Sequence, residues 1–132
     1  TVLTTIHSNS CEATYSRMCT LCKRKYDMDE EVLMDMVTEA FPIIVFTKQL
    51  ENKKRKVMEI MECEICSDGK RRFNTLFRYE IDENRMEDGE FIIHGVHRSE
   101  AGISGKLKKR LLENGMPNDV FERIIKGGGR AC

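Results

Sequence analysis

The sequence predicts an α/β fold, because three patterns follow one another along the chain. An apolar, β-branched run over residues 2–6 is followed directly by a helix start signal at Ser10. Apolar residues then recur at helical spacing over residues 32–40. Residues 73–81 alternate between apolar and polar side chains, which is typical of a half-buried strand. We therefore expect a buried first strand, two helices and a strand meander.

The two helices are predicted from their ends. Ser10 is a suitable N-cap for a helix over residues 11–25, whose last turn is basic. Asp27 and Glu30 have the spacing of a capping box for the second helix. Phe41 precedes a proline and therefore avoids the helical conformation, so this helix ends there.

The next segment predicts an antiparallel meander of about three strands, over residues 43–50, 57–65 and 73–81. Polar, turn-forming residues separate them at 51–54 and 67–70. The acidic stretch 82–90 is expected to be a loop.

Residues 91–126 are predicted to contain one short strand and two helices. The strand covers residues 91–93, and Ser104 caps a helix bearing Leu107, Leu111 and Leu112 that stops at Gly115. Asn118 caps a last helix, and residues 127–132 are expected to form a frayed tail. The apolar face of the last helix carries Val120, Phe121, Ile124 and Ile125.

Composition narrows the class of protein. The chain has 132 residues, 40% of them hydrophobic, which suits one soluble globular domain. Lys and Arg number 22, as do Asp and Glu, so no net charge attracts the chain to nucleic acid or membrane. The basic runs at 53–56, 70–72 and 106–110 are interpreted as solvated faces, and a nucleic-acid-binding module remains the weaker alternative.

Two C-x-x-C pairs leave a second alternative open. Cys19 with Cys22, and Cys63 with Cys66, have the spacing of a four-thiolate zinc site in an interaction module. The first pair lies in a predicted helix and the second ends a predicted strand, whereas zinc pairs usually lie on tight turns. Reduced thiols in a cytoplasmic protein are the preferred interpretation, with no metal site expected.

His7 is the remaining candidate for chemistry. It follows the first strand, with Thr4 and Thr5 just before it and a helix just after it. A neutral imidazole at that turn could hydrogen-bond a phosphate oxygen or an attacking water. The chain carries no GxxxxGK[ST] phosphate loop, so we do not expect it to hydrolyse nucleotide alone.

A resemblance to a known family rests on these residues. The run Thr4-Thr5-Ile6-His7-Ser8-Asn9-Ser10, followed by Ala13, Ser16 and Arg17, resembles the His box of the traffic ATPases of type II and type IV secretion. The CpaF-like branch, which serves tight-adherence (Tad/Flp) pili, is the most similar, and the likeness continues through residues 43–79. Two residues depart from its pattern, Ser8 where Ala is common and Cys11 where Pro often begins the helix.

The resemblance implies that the chain is the C-terminal part of a RecA-like P-loop ATPase domain, cut from a longer protein. The divisions expected are a His-box and meander part (residues 1–81), a helical segment (82–126) and a tail (127–132). The family binds ATP with Mg²⁺; His7 would lie near the γ-phosphate, with Thr4, Thr5 and Arg17 at the nucleotide pocket.

The resemblance also implies partners and a location. The parent would form a homo-hexamer in the cytoplasm, against the inner face of the cell membrane, and contact secretion or pilus platform proteins there. The excised chain is expected to self-associate through the unpaired edge of its first strand.

Overall fold

The computed structural model describes the backbone of residues 3–127 and the side chains of residues 3–123. The fold is mixed α/β, with two helices, then four strands, then two further helices. The elements are α1 (Cys11–Lys23), α2 (Glu30–Ala40), β1 (Ile43–Gln49), β2 (Arg55–Ile65), β3 (Arg71–Glu87), β4 (Glu90–Ser99), α3 (Gly105–Glu113) and α4 (Asn118–Gly127).

The predicted meander is confirmed, but it has four strands instead of three. Each strand pairs antiparallel with the next, in the order β1-β2-β3-β4. The register shifts once in each pairing, between Phe46 and Thr47, between Ile60 and Met61, and between Ile81 and Glu83. Each shift changes which side chains of a strand face which side of the sheet.

The loop predicted over residues 82–90 is wrong, because β3 continues to Glu87 and β4 begins at Glu90. The acidic residues are tolerated in the strand since Arg85 pairs with both Glu83 and Glu87. Asp88 and Gly89 both have positive φ, 49° and 81°, as a two-residue hairpin turn requires. The segment after residue 81 therefore begins with strands and becomes helical only at Gly105.

The prediction of a first strand is also wrong over residues 3–6, the part of this segment that the structure describes. Leu3 to Ile6 belong to no strand, and Leu3 is 93% exposed. A strand buried on both faces needs a sheet to pair with and a packed layer on each face, and no strand of the sheet β1-β2-β3-β4 pairs with Leu3 to Ile6. Self-association through the edge of this segment stays a prediction.

The helix ends follow the local signals, with two exceptions. The sequence predicts Asn118 as the cap of the last helix, but α4 begins at Asn118 itself, and the backbone N–H of Phe121 donates to the carbonyl of Pro117 at 3.0 Å. Ser10 caps α1 by accepting a hydrogen bond from the backbone N–H of Ala13 at 3.1 Å, as predicted. Ser104 caps α3 through Leu107 N–H at 3.0 Å, also as predicted. The N-cap of α2 is Asp29, which accepts from Glu31 N–H, so the capping box at Asp27 is wrong. The predicted tail lies outside the described residues from 128 onward.

Tyr15 joins both N-terminal helices to one face of the sheet. Its side chain is 1% exposed, and its ring centroid lies 5.6 Å from that of Phe73 on β3. The phenol O–H donates to the carbonyl of Phe41, at the end of α2, at 2.7 Å. Arg71, at the start of β3, adds ion pairs to Glu31 and Asp35 of α2. These contacts fix α1 and α2 relative to the sheet.

The opposite face of the sheet carries a buried carboxylate. Glu62 lies next to Cys63, which faces the helices, so alternation along β2 turns Glu62 away from them. Its side chain is 2% exposed and accepts from Ser104 twice, from the backbone N–H at 2.9 Å and from Oγ–H at 2.5 Å. Because no residue of α3 is buried, this contact is the principal polar attachment of α3 to the sheet.

Replacing Tyr15 with Phe should lower the free energy of unfolding by about 1–2 kcal/mol, because the carbonyl of Phe41 loses its donor in a buried setting. Chemical denaturation measures this change. Tyr26→Phe is the matched control, since Tyr26 is 51% exposed and should change little. Equal effects of the two substitutions would show that the Tyr15 hydroxyl is not a structural contact.

Replacing Glu62 with Gln should loosen α3, since an amide NH₂ then faces the Ser104 donors in place of one carboxylate oxygen. Amide hydrogen exchange across α3 should become faster, while exchange in α1 stays unchanged. The exposed Glu39→Gln substitution serves as the control. Unchanged exchange in α3 would contradict the attachment through Glu62.

Candidate functional site

An open hollow of about 380 Å³ lies at the N-terminus of α1. It is lined by His7, Ser8, Asn9, Ala13 and Arg17. The structure thus brings together His7 and Arg17, two of the residues predicted for the site, although ten positions separate them in the sequence. Thr4 and Thr5 are exposed and do not line this hollow.

The turn between His7 and α1 is held by short local hydrogen bonds. Ser10 has an extended backbone, with φ −161°, and its carbonyl accepts from Thr14 Oγ1 at 2.8 Å and from Ser8 Oγ at 3.2 Å. The Thr14 contact lies within the first turn of α1, and the Ser8 contact fixes the bend that precedes it. His7 is therefore directed toward the side of the helix that carries Arg17.

His7 and Arg17 are both exposed, and neither side chain has a hydrogen-bond or ion-pair partner within residues 3–123. The hollow contains a guanidinium, an imidazole, a hydroxyl and an amide, and no carboxylate lines it. The positive end of the α1 dipole lies at the same place. This set of donors suits an anion.

The same residues do not fit Mg²⁺, which prefers carboxylate oxygens and water. Within the described part of the chain, no group of three or more His, Cys, Asp or Glu residues is placed to hold a metal ion. A Mg²⁺ ion at this place would therefore need ligands from elsewhere.

Three of the four paired cysteines, Cys19, Cys22 and Cys63, lie in or against one core cluster between the helices and the sheet. Cys19 and Cys63 are buried in the core, and Cys22 and Cys66 are half-buried. Cys19 Sγ lies 3.6 Å from the sulfur of Met34, and Cys63 Sγ lies 3.9 Å from Thr38 Oγ1. Burial raises the pKa of both core thiols, which favours the neutral form over the thiolate that zinc binds.

Sequence reasoning gave no role to Glu62, which lines a second hollow of about 250 Å³ between α2, β2 and α3. Lys106 and Arg110 of α3 also line it, opposite Glu39 and Glu64. A glutamate within an apolar strand pattern was the available signal, because such a residue needs a partner when it is buried. The partner, Ser104, was identified from the sequence only as a helix cap.

Neither a protein-family model nor a curated protein matches the chain. No helix within residues 3–127 is long and apolar enough to cross a bilayer. The functional inference therefore rests on the geometry of the hollow and on the resemblance of the His-box residues.

The stability of the fold should fall at alkaline pH. Burial, with a smaller contribution from Glu59, raises the pKa of the Cys11 thiol from 9.0 to about 12. The unfolded chain loses this proton above about pH 9, whereas the folded chain keeps it, so the folded state binds more protons between pH 9 and 12. Each such proton lowers the free energy of unfolding by about 1.4 kcal/mol per pH unit in that window, with no effect below it.

Thermal unfolding between pH 7 and pH 11 tests this expectation in the wild type and in two variants. Cys11→Ala should flatten the alkaline fall in Tm, because one buried titrating group is removed. Cys66→Ala, at a half-buried position, is the control and should keep the wild-type slope. An identical slope in Cys11→Ala would exclude Cys11 as a cause of the pH dependence.

Proposed function

We propose that this chain is the C-terminal part of a RecA-like P-loop ATPase of the CpaF-like traffic family, which couples ATP hydrolysis to protein export or pilin assembly. The observation that carries the proposal is the shared hollow at α1. The His-box residues His7, Ser8 and Asn9 line it together with Arg17, the helix arginine of the same pattern. A motif that resembles a nucleotide-contacting one thus has the geometry of an anion site.

In this proposal His7 and Arg17 act on the phosphate end of the nucleotide. An imidazole N–H can donate to a γ-phosphate oxygen or to the attacking water, and the guanidinium supplies positive charge beside it. Bound ATP would place its γ-phosphate at this hollow, and His7 and Arg17 would lose that contact when the phosphate is released. Thr4 and Thr5 lie outside the hollow in this structure, so we assign them no contact with phosphate here.

Helix α1 offers a route from this hollow to the sheet. Arg17 stands on the same helix as Tyr15 and Cys19, and both of those side chains are buried in the core against α2 and the sheet. A small shift of α1 on loss of the phosphate contact would therefore displace its packing partners as well. We propose that this coupling turns hydrolysis into movement of the domain.

The remaining parts of the proposal come from the resemblance. The phosphate loop and the Mg²⁺ ligands would be supplied by residues that precede this chain in its parent, which would assemble as a homo-hexamer. The parent would work in the cytoplasm, at the inner face of the cell membrane, against platform proteins of the secretion or pilus machinery. The 132-residue chain by itself should not hydrolyse ATP.

The test is ATP turnover by the full-length parent carrying His7→Ala. We expect kcat to fall by about 10²-fold or more, since a contact made to the reacting phosphate is lost. The Tm should stay within about 1 °C of the wild type because His7 is exposed and unpartnered within residues 3–123.

His94→Ala is the matched control, since His94 is also exposed and lies far along the chain on β4. It should keep wild-type turnover. Wild-type turnover in the His7→Ala parent would remove His7 from the mechanism. Absence of a GxxxxGK[ST] sequence upstream of Thr1 in the source gene would overturn the assignment to this family.

A further inference from the structure

The end of β3 and most of β4 form a two-stranded arm, defined by residues 79–97. Strand β2 pairs with β3 only as far as Arg78, which lies opposite Glu59. Beyond that point β3 pairs with β4 alone, down to Glu87 opposite Glu90. An isolated two-stranded ribbon is marginal in water, so the arm needs further packing to be stable.

The pairing register divides the arm into two different faces. Met86 lies opposite Phe91, and Ile81 lies opposite Gly95, so these side chains share a face with Ile93. The other face carries Arg85 with its partners Glu83 and Glu87, and Arg98 paired with Glu80. One side of the arm is therefore mainly apolar, although it also carries Asn84 and His97, and the other side carries the ion pairs together with Ile92 and Val96.

The apolar face is open to solvent. Ile81 is 43% exposed, Met86 64% and Phe91 39%. The face begins at Tyr79, whose ring covers Gly95 so closely that a Cβ there would lie 2.8 Å from the ring. Neighbouring exposed apolar side chains of this kind are typical of surfaces that bind a partner.

The two ends of the arm have opposite charge. The tip carries the carboxylates of Glu87, Asp88 and Glu90. Strand β2 runs antiparallel to β3, so its first residues, Arg55 and Lys56, reach the base of the arm, and Lys53 and Lys54 of the β1–β2 turn directly precede them. Lys56 marks this position, with its ammonium 5.3 Å from the centre of the Tyr79 ring.

These charges are not paired with each other inside one chain. Within residues 3–123, no ion pair joins the three basic turn residues to the acidic tip. Nine residues separate Tyr79 from Asp88, a distance of roughly 30 Å along an extended strand. The tip of an arm therefore lies well away from Lys56 at its own base.

We infer that the arm is a docking surface for a second copy of this chain, with the two arms antiparallel and their apolar faces in contact. A two-fold axis places the acidic tip of each copy at the basic turn of the other, so both charge contacts form at once. The apolar faces supply the burial, and the charges fix the antiparallel direction. This inference rests on the arm alone and not on the proposed ATPase function.

Sedimentation equilibrium of the 132-residue chain over a range of concentrations tests it. We expect a dimer that weakens as NaCl is raised, because salt screens the contacts between tip and turn. Ile81→Thr should raise the dimer dissociation constant by about tenfold, since the two-fold axis makes the loss of apolar contact count twice.

Val96→Thr is the matched control. Val96 is 45% exposed, close to the 43% of Ile81, but lies opposite Glu80 on the charged face. Both substitutions keep a β-branched residue and so preserve strand propensity. Val96→Thr should leave the dissociation constant within about twofold of the wild type. Equal weakening by both variants would overturn the assignment of the apolar face.

Charge reversal tests the antiparallel direction. The pair Glu87→Lys and Glu90→Lys makes the tip basic, and the pair Lys54→Glu and Arg55→Glu makes the turn acidic. Lys53 and Asp88 are left in place because both have positive φ, where substitution alters backbone strain. Each pair alone should weaken the dimer, whereas the two variants mixed together should restore it as a heterodimer.

A chain that stays monomeric at all concentrations and low salt would overturn the inference and assign the apolar face to a different partner. Failure of the mixed variants to associate would overturn the antiparallel arrangement. Circular dichroism of each variant confirms that the fold is retained. These outcomes are independent of ATP turnover in the parent, so they are distinguishable from failure of the proposed function.

Discussion

The packing of Tyr15 determines how the N-terminal half of the molecule is arranged. One buried side chain contacts β3 through its ring and the end of α2 through its hydroxyl, while its own backbone belongs to α1. Three elements are therefore held by a residue that has no freedom to move without opening the core. The position of the hollow at His7 follows from this, because the first turn of α1 can lie only where Tyr15 allows.

The two faces of the sheet are stabilised by different interactions. The face toward α1 and α2 is packed with apolar side chains and thiols, and burial keeps those thiols protonated. The other face holds Glu62, whose carboxylate depends on Ser104, and then extends along the arm as an exposed apolar row. A rearrangement of the packing on the second face would therefore break fewer contacts than one on the first face.

The sequence was sufficient where a local signal decided the structure. Ser10 and Ser104 cap helices because their hydroxyls reach a backbone N–H three residues on, and Pro42 ends α2 because of its ring. The first strand could not be judged in the same way, since its formation depends on neighbours that a local pattern does not contain. The end of β3 was missed because its acidic residues resemble a loop until their pairing with Arg85 is known.

The candidate site was predictable in part for the same reason. His7 was identified from its position before a helix, and Arg17 from the resemblance; the turn at Ser10 places both on one hollow. The exclusion of Thr4 and Thr5 depends on how the preceding segment lies once it has no strand to join. Glu62 was not singled out because burial of a single carboxylate is decided by residues 42 positions away.

The contact between Glu62 and Ser104 also makes the order of mutations at these two positions matter during evolution. If Ser104 is lost first, a buried carboxylate remains without its donors, which is a costly intermediate. If Glu62 is replaced first by a neutral residue, Ser104 still caps its helix through Leu107, and the intermediate is milder. Lineages that abandon this attachment would therefore pass through changes at position 62 before changes at position 104, and the reverse path would be closed to them.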